Sequence, residues 1–319
     1  MGLSKDRDYY FDNLKFILII LVVIGHTIEP LVNNNMSLKA VYVFIYTFHM
    51  PLFILVSGYF SKNINTKGYI LKNAKKILIP YVIFQILYFL FFRYAMNNIQ
   101  IKFTLFTPYW IMWFLLSLFI WKMILPYFVK IKYPLLVSII LAVLAGYIDQ
   151  IGYFMSLSRT ITFFPFFLLG YYLNKPYIER LYTFRIKLAS IAVLICGFMV
   201  INFLTPRIYY GWLYGSSSYA YLHANQWYAG FFRMGIFAAA ILFSISVLAL
   251  VPKNKNIISE MGMRTMYLYL LHGFVIKLFV RYNLYAVYDI SLILTVSILV
   301  SLFLSSRFVE KLTKPIIQP

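Results

Sequence analysis

His26 is the side chain in this sequence best suited to proton transfer, because a neutral imidazole can accept a proton from a hydroxyl near neutral pH. Lys15 precedes it by eleven residues, and everything from Phe16 to Gly25 is apolar or glycine. On a helix, an eleven-residue step returns to nearly the same face about 16 Å further along. A cation therefore marks one end of an apolar helix and an imidazole lies inside it. Glu29, three residues on, is within reach of the same face and can orient the ring; an ordinary interfacial acid is the alternative. His49 precedes Pro51, where a proline can break a helix and free carbonyls to line a cavity. His272 lies in a second apolar segment. Both suggest a polar internal passage, or else buried hydrogen-bonding residues. The four histidines show no H-E-x-x-H spacing, so no metal is expected.

The composition says what must position these groups. Hydrophobic residues make up 62% of the chain, charged residues 12% and aromatic residues 20%. No water-soluble core absorbs such a chain, and an all-α integral membrane protein is expected. Ionisable groups inside its helices are then costly and become functional candidates, with a histidine hydrogen-bonded between helices as the competing explanation. The net charge of +20 comes without a basic aromatic patch, zinc spacing or recognition helix, so nucleic acid is not an expected partner. A single cysteine, Cys196, excludes a disulfide framework within one chain. The N-terminus has cations before an apolar run but no small-residue cleavage site, and reads as a retained membrane helix.

Ten apolar segments are long enough to count as candidate spans. The first five are approximately Leu14–Val32, Leu38–Phe60, Ile77–Met96, Tyr109–Phe128 and Tyr133–Ile148. The others are Thr160–Leu173, Leu188–Leu204, Ala229–Val251, Thr265–Val280 and Ile290–Leu304. With loops assigned alternately, twenty of the 29 lysines and arginines fall on one side, including Lys5 and Arg7. Six fall on the other: Lys39, Arg93, Lys102, Arg159, Arg207 and Arg281. Lys122, Arg233 and Lys277 lie within spans. This asymmetry predicts both termini in the cytoplasm of a multi-pass plasma-membrane protein. One domain, 1–319, is expected, with a cytoplasmic segment 1–13, an external loop 205–228 and a cytoplasmic tail 305–319. The loop is dense in Tyr and Trp, which suits either stacking on a carbohydrate or an ordinary interfacial belt.

Several motifs follow one another in a set order. They are Phe11-Asp12-Asn13-Leu14-Lys15 leading to Gly25-His26, then Phe48-His49-Met50-Pro51-Leu52-Phe53 ending in Ser57-Gly58-Tyr59-Phe60. Lys72-Asn73-Ala74-Lys75-Lys76 precedes Ile79-Pro80-Tyr81, and Trp110-Ile111-Met112-Trp113-Phe114-Leu115 follows. Arg159-Thr160 before Phe164-Pro165-Phe166, and Tyr269-Leu270-Leu271-His272, complete the series. In this order the chain resembles acyltransferase family 3, the membrane O-acyltransferases of bacterial surface glycans, and most of all the fucose-4-O-acetylase-like branch. The family motifs usually carry arginine where this chain has Lys15, and Arg-x-x-Arg where it has Lys72 and Lys75. Lysine keeps the charge but not the planar fork that grips phosphate.

The resemblance implies a donor substrate, acyl-CoA and above all acetyl-CoA, with no permanently bound cofactor. A nucleotide arriving from the cytoplasm would meet Lys72, Lys75 and Lys76 in the most basic internal loop, with Lys15 at the mouth; topology signalling and snorkelling explain the same lysines. Transfer to a hydroxyl then needs a base, for which His26 with Glu29 is the candidate, and an acyl-histidine is a chemical variant. His49, Trp113, Arg159 and His272 are candidates for the acceptor passage. The acceptor implied is a glycan or lipid-linked sugar at the outer face, in contact with membrane lipid, and a homo-oligomer is compatible with the sequence. A transporter or flippase for such a glycan is the other class. Paired broken helices in corresponding halves would favour it, and none is evident.

Overall fold

Backbone polar groups have no water to bond inside a bilayer, so an apolar chain of this length satisfies them within helices. The computed structural model describes residues 8–318, and its regular elements are all helical. Lys5 and Arg7, and residues 1–7 of the expected N-terminal segment, lie outside the described residues. A principal helix stands at each of the ten apolar segments. The first four are α1 (Tyr9–Ile28), α2 (Met36–Tyr59), α3 (Tyr69–Ala95) and α4 (Trp113–Phe128). Next come α5 (Pro134–Leu144), α6 (Leu157–Tyr172) and α7 (Phe184–Leu204). The last are α8 (Ala229–Leu250), α9 (Thr265–Arg281) and α10 (Ile290–Leu304). Among the described residues six helices are long and apolar enough to cross a membrane alone, with a seventh if α10 and its bent continuation count as one span. The chain is a multi-pass membrane protein by this composition.

Three features differ from the sequence reading. The C-terminal segment forms a helix, Arg307–Ile317, bent 68° from α10. The segment after α7 contains short helical turns at Thr205–Arg207 and Tyr210–Tyr214. Pro51 does not break α2, which runs through it.

Small residues let the inner helices approach closely, since lipid offers no hydrophobic force between them and close packing must hold the bundle. A Cβ on Gly58 of α2 would sit 2.0 Å from the Phe167 carbonyl oxygen of α6. On α6, a Cβ on Gly170 would meet the Leu55 carbonyl oxygen at 1.8 Å. Gly25 of α1 leaves room for the Tyr46 ring, which a Cβ there would meet at 2.8 Å. The most apolar stretch of α2 is 72% buried, whereas that of α7 is 17% buried. So α1, α2, α6 and α9 form the interior, and α7 lies at the lipid-facing side.

Candidate active site

His26 occupies the last turn of α1, and Glu29 opens the tight turn that follows. A carboxylate only accepts, so the His26 Nδ1–H donates to Glu29 Oε2, 3.1 Å away. The Tyr46 hydroxyl of α2 lies 3.2 Å from the same nitrogen. This tautomer leaves Nε2 with its lone pair as the free basic atom. The motif Gly25-His26 acquires a physical sense here: without a Cβ at Gly25, Tyr46 comes close enough to share the ring nitrogen.

Two rings pack against the imidazole, and against each other at 6.4 Å. Trp110 lies against it at a centroid distance of 4.7 Å, and His272 of α9 stacks at 5.8 Å. Trp110 has a left-handed backbone, φ 41°, a conformation that costs a bulky residue energy and clusters at functional sites. The loop leading to it is pinned by Gln85 of α3, whose Nε2–H donates to the carbonyls of Thr104 and Thr107 while Oε1 accepts from the Tyr109 N–H. The Lys277 ammonium sits 4.2 Å from the centre of the Trp110 ring, a favourable cation–π placement.

His26 lines two spaces. On one side lies a cavity of about 270 Å³ with a polar wall that includes Glu29, Tyr46, His49, Tyr153, Arg159 and Tyr214. On the other is a narrow apolar pocket between Ile19, Val22, Phe53 and Phe114, which points back along α1. Arg159, at the head of α6, spans Trp113 and Tyr153 with its guanidinium 5.1 and 5.4 Å from their ring centres. Its Nε–H donates to the Tyr214 carbonyl at 3.3 Å. The cavity roof is tied down where Ser158 Oγ–H donates to the Gly215 carbonyl, Gly215 having φ 59°.

The candidate residues therefore divide. His26, Glu29, His49, Trp113 and Arg159 come together around one cavity. His272 does not line it but backs His26, its Nδ1–H donating to the Leu268 carbonyl at 2.9 Å. His49 makes the same bond to its own helix, at the Ile45 carbonyl, 2.8 Å away. Lys15 forms an ion pair with buried Asp12 at 2.8 Å. Lys72, Lys75 and Lys76 are exposed, on and beside a π-helical turn at Ala74–Leu78 that packs on α4. Lys122 of α4 donates to Ser61 Oγ at 2.9 Å, adding a cation at that end. Among the described residues no group of three or more His, Cys, Asp or Glu side chains could hold a metal ion.

Comparison with known proteins decides the family. A family model described as the acyltransferase domain matches residues 8–306. The chain belongs to acyltransferase family 3. This acyltransferase is 27% identical over 309 residues to nodulation protein NolL of Sinorhizobium fredii, a match covering 86% of the chain and 80% of that relative. It is 25% identical over 311 residues to NolL of Mesorhizobium japonicum, covering 86% and 78%. No solved structure matches.

Tyr46 and Trp110 line the candidate site and Lys277 stands over the Trp110 ring, but none of the three was expected there from the sequence. Tyr46 lies three residues before His49, one helical turn away on the same face, and their rings are 4.5 Å apart. Lys277 is an intramembrane cation, which was signal enough. Nothing local distinguishes Trp110 from an interfacial tryptophan.

Proposed function

We propose that this membrane enzyme takes an acyl group, acetyl foremost, from acyl-CoA at the cytoplasmic face. It passes the group to a hydroxyl of a surface glycan, or its lipid-linked precursor, on the outer side of a bacterial plasma membrane. The reading includes ten spans and cytoplasmic termini. The carrying observation is the His26–Glu29 dyad, with His26 lining both a polar cavity and a small apolar pocket beside Ile19 and Val22, on the part of α1 nearer the cytoplasm in this reading.

The nucleotide of the donor rests on Lys72, Lys75 and Lys76, with Lys15 at the mouth, and its pantetheine arm follows the α1 face for about 16 Å to His26. Nε2 takes the proton of the acceptor hydroxyl as its oxygen attacks the thioester carbonyl. The tetrahedral oxyanion gains from the cationic, hydrogen-bond-rich cavity wall to which Arg159 contributes. The C–S bond then breaks, and the imidazolium returns the proton to the departing CoA thiolate. Glu29 keeps the tautomer and stabilises the imidazolium, as the carboxylate of a hydrolytic triad does.

A transporter with the same cavity would not cleave a thioester. Purified wild-type protein should release CoA from acetyl-CoA when a glycan or lipid-linked sugar acceptor is supplied, with matching acetylation of the acceptor, and His26→Ala should not; equal release by the two would overturn the reading. The orientation has its own check. In a Cys196→Ser background, a cysteine placed in the segment 205–228 should react with an impermeant reagent added outside cells, and reaction only from the cytoplasmic side would invert the topology.

A further inference from the structure

A second space lies apart from the His26 cavity. It is a groove of about 870 Å³ between α7 and α8, toward the upper end of the roughly 300–1,000 Å³ typical of small-molecule sites. Its lining is apolar along the helices, and Arg207 and His223 stand among its few polar residues. The wall that ends it is the short helix carrying Trp212 and Leu213, and Leu213 also lines the His26 cavity. Leu213 thus borders both spaces.

Two further observations bear on the occupant. Gly235 of α8 lines the groove, and a Cβ added there would meet nothing within 4 Å, so the missing side chain leaves open room rather than a close helix contact. Arg233, two residues earlier, is 2% exposed, does not line the groove, and lies 5.6 Å from the rings of both Trp212 and Tyr219. It donates to the Trp212 carbonyl at 3.3 Å, while its Nε has no hydrogen-bond partner. Arg207 does line the groove, and an anionic group held there would gain a counter-charge from it.

We propose that the groove holds the tail of a lipid-linked acceptor, a sugar carried on a long apolar chain through phosphate. The tail lies between α7 and α8, the phosphate is drawn to Arg207, and the sugar crosses past Leu213 into the His26 cavity. This rests on the acyl-transfer reading of that cavity and narrows its acceptor from glycans in general to membrane-borne ones.

The test uses polyprenyl phosphate, polyprenol and phosphatidylglycerol as competing probes on the full-length protein in nanodiscs, with retention read by native mass spectrometry. Wild type should retain polyprenyl phosphate about tenfold better than either competitor, a difference of about 1.4 kcal/mol. Gly235→Leu, which fills the groove, should abolish that preference, with melting temperature and acetyl-CoA binding as controls on folding. Arg207→Gln should erode the preference for phosphate over polyprenol. Equal retention of phosphatidylglycerol would mark an ordinary bilayer-lipid surface, and undiminished polyprenyl phosphate retention by Gly235→Leu would place the lipid elsewhere; either overturns the proposal. Failure of wild type to transfer acetyl from acetyl-CoA to any supplied sugar acceptor would instead sink the acyl-transfer reading, so the two failures are separable.

Discussion

The two ends of α1 carry the same arrangement with opposite consequences. Near its start, Asp12 and Lys15 form an i,i+3 pair at 2.8 Å, and near its end His26 and Glu29 form another at 3.1 Å. The first pair joins an ammonium to a buried carboxylate, and the adjacent Asn13 clamps the segment after α8 through Pro252, Asn254 and Ser259. An imidazole as a group can change charge near neutrality, and its second nitrogen stays free when the first is held. The same spacing therefore makes a fastening at one end and an acid–base dyad at the other. What differs is the side chain and the space around it: Asp12 is buried, whereas the dyad borders a cavity.

The largest effect that breaks this contrast is His26→Ala. The variant should fold and insert yet lose acyl transfer by at least about 10²-fold, the lower end for general-base catalysis. Turnover normalised to folded protein measures it, and near-normal turnover per folded molecule would reduce His26 to a second fastening. Glu29→Gln should cost roughly 10–100-fold in kcat, the scale of a hydrogen bond to a charged group, about 1.5–3 kcal/mol. Donor binding should be unchanged, and a loss confined to KM would show that Glu29 serves binding.

At the other end, the triple variant Lys72→Ala/Lys75→Ala/Lys76→Ala should raise the acetyl-CoA dissociation constant about tenfold at low salt. The effect should shrink as the Debye length falls to about 10 Å at 0.1 M, because all three lysines are exposed. Calorimetric titration at two ionic strengths checks this, and unchanged affinity at both would remove the loop from donor binding. The smallest effects are expected from His49→Ala and His272→Ala, each less than His26→Ala by about tenfold or more. Both rings spend Nδ1 on an i−4 carbonyl of their own helix and lack a carboxylate partner. Either variant matching His26→Ala in turnover while well folded would move the base away from α1.

The sequence by itself determined what depends on short spacing. The ten principal helices follow from apolar runs and the need to satisfy backbone groups inside a bilayer. The dyad follows from i,i+3 geometry on one helix, so His26 and Glu29 could be paired without knowing the fold. Tertiary packing decided everything that joins distant segments. Tyr46 reaches His26 because Gly25 lets α2 approach α1, and Arg159 meets the cavity because the α6 head is tied to Gly215. His272 stacks behind His26 instead of lining the cavity, since that depends on which face of α9 turns inward. A helical repeat says which residues share a face, but only the competition among helix contacts says which faces meet.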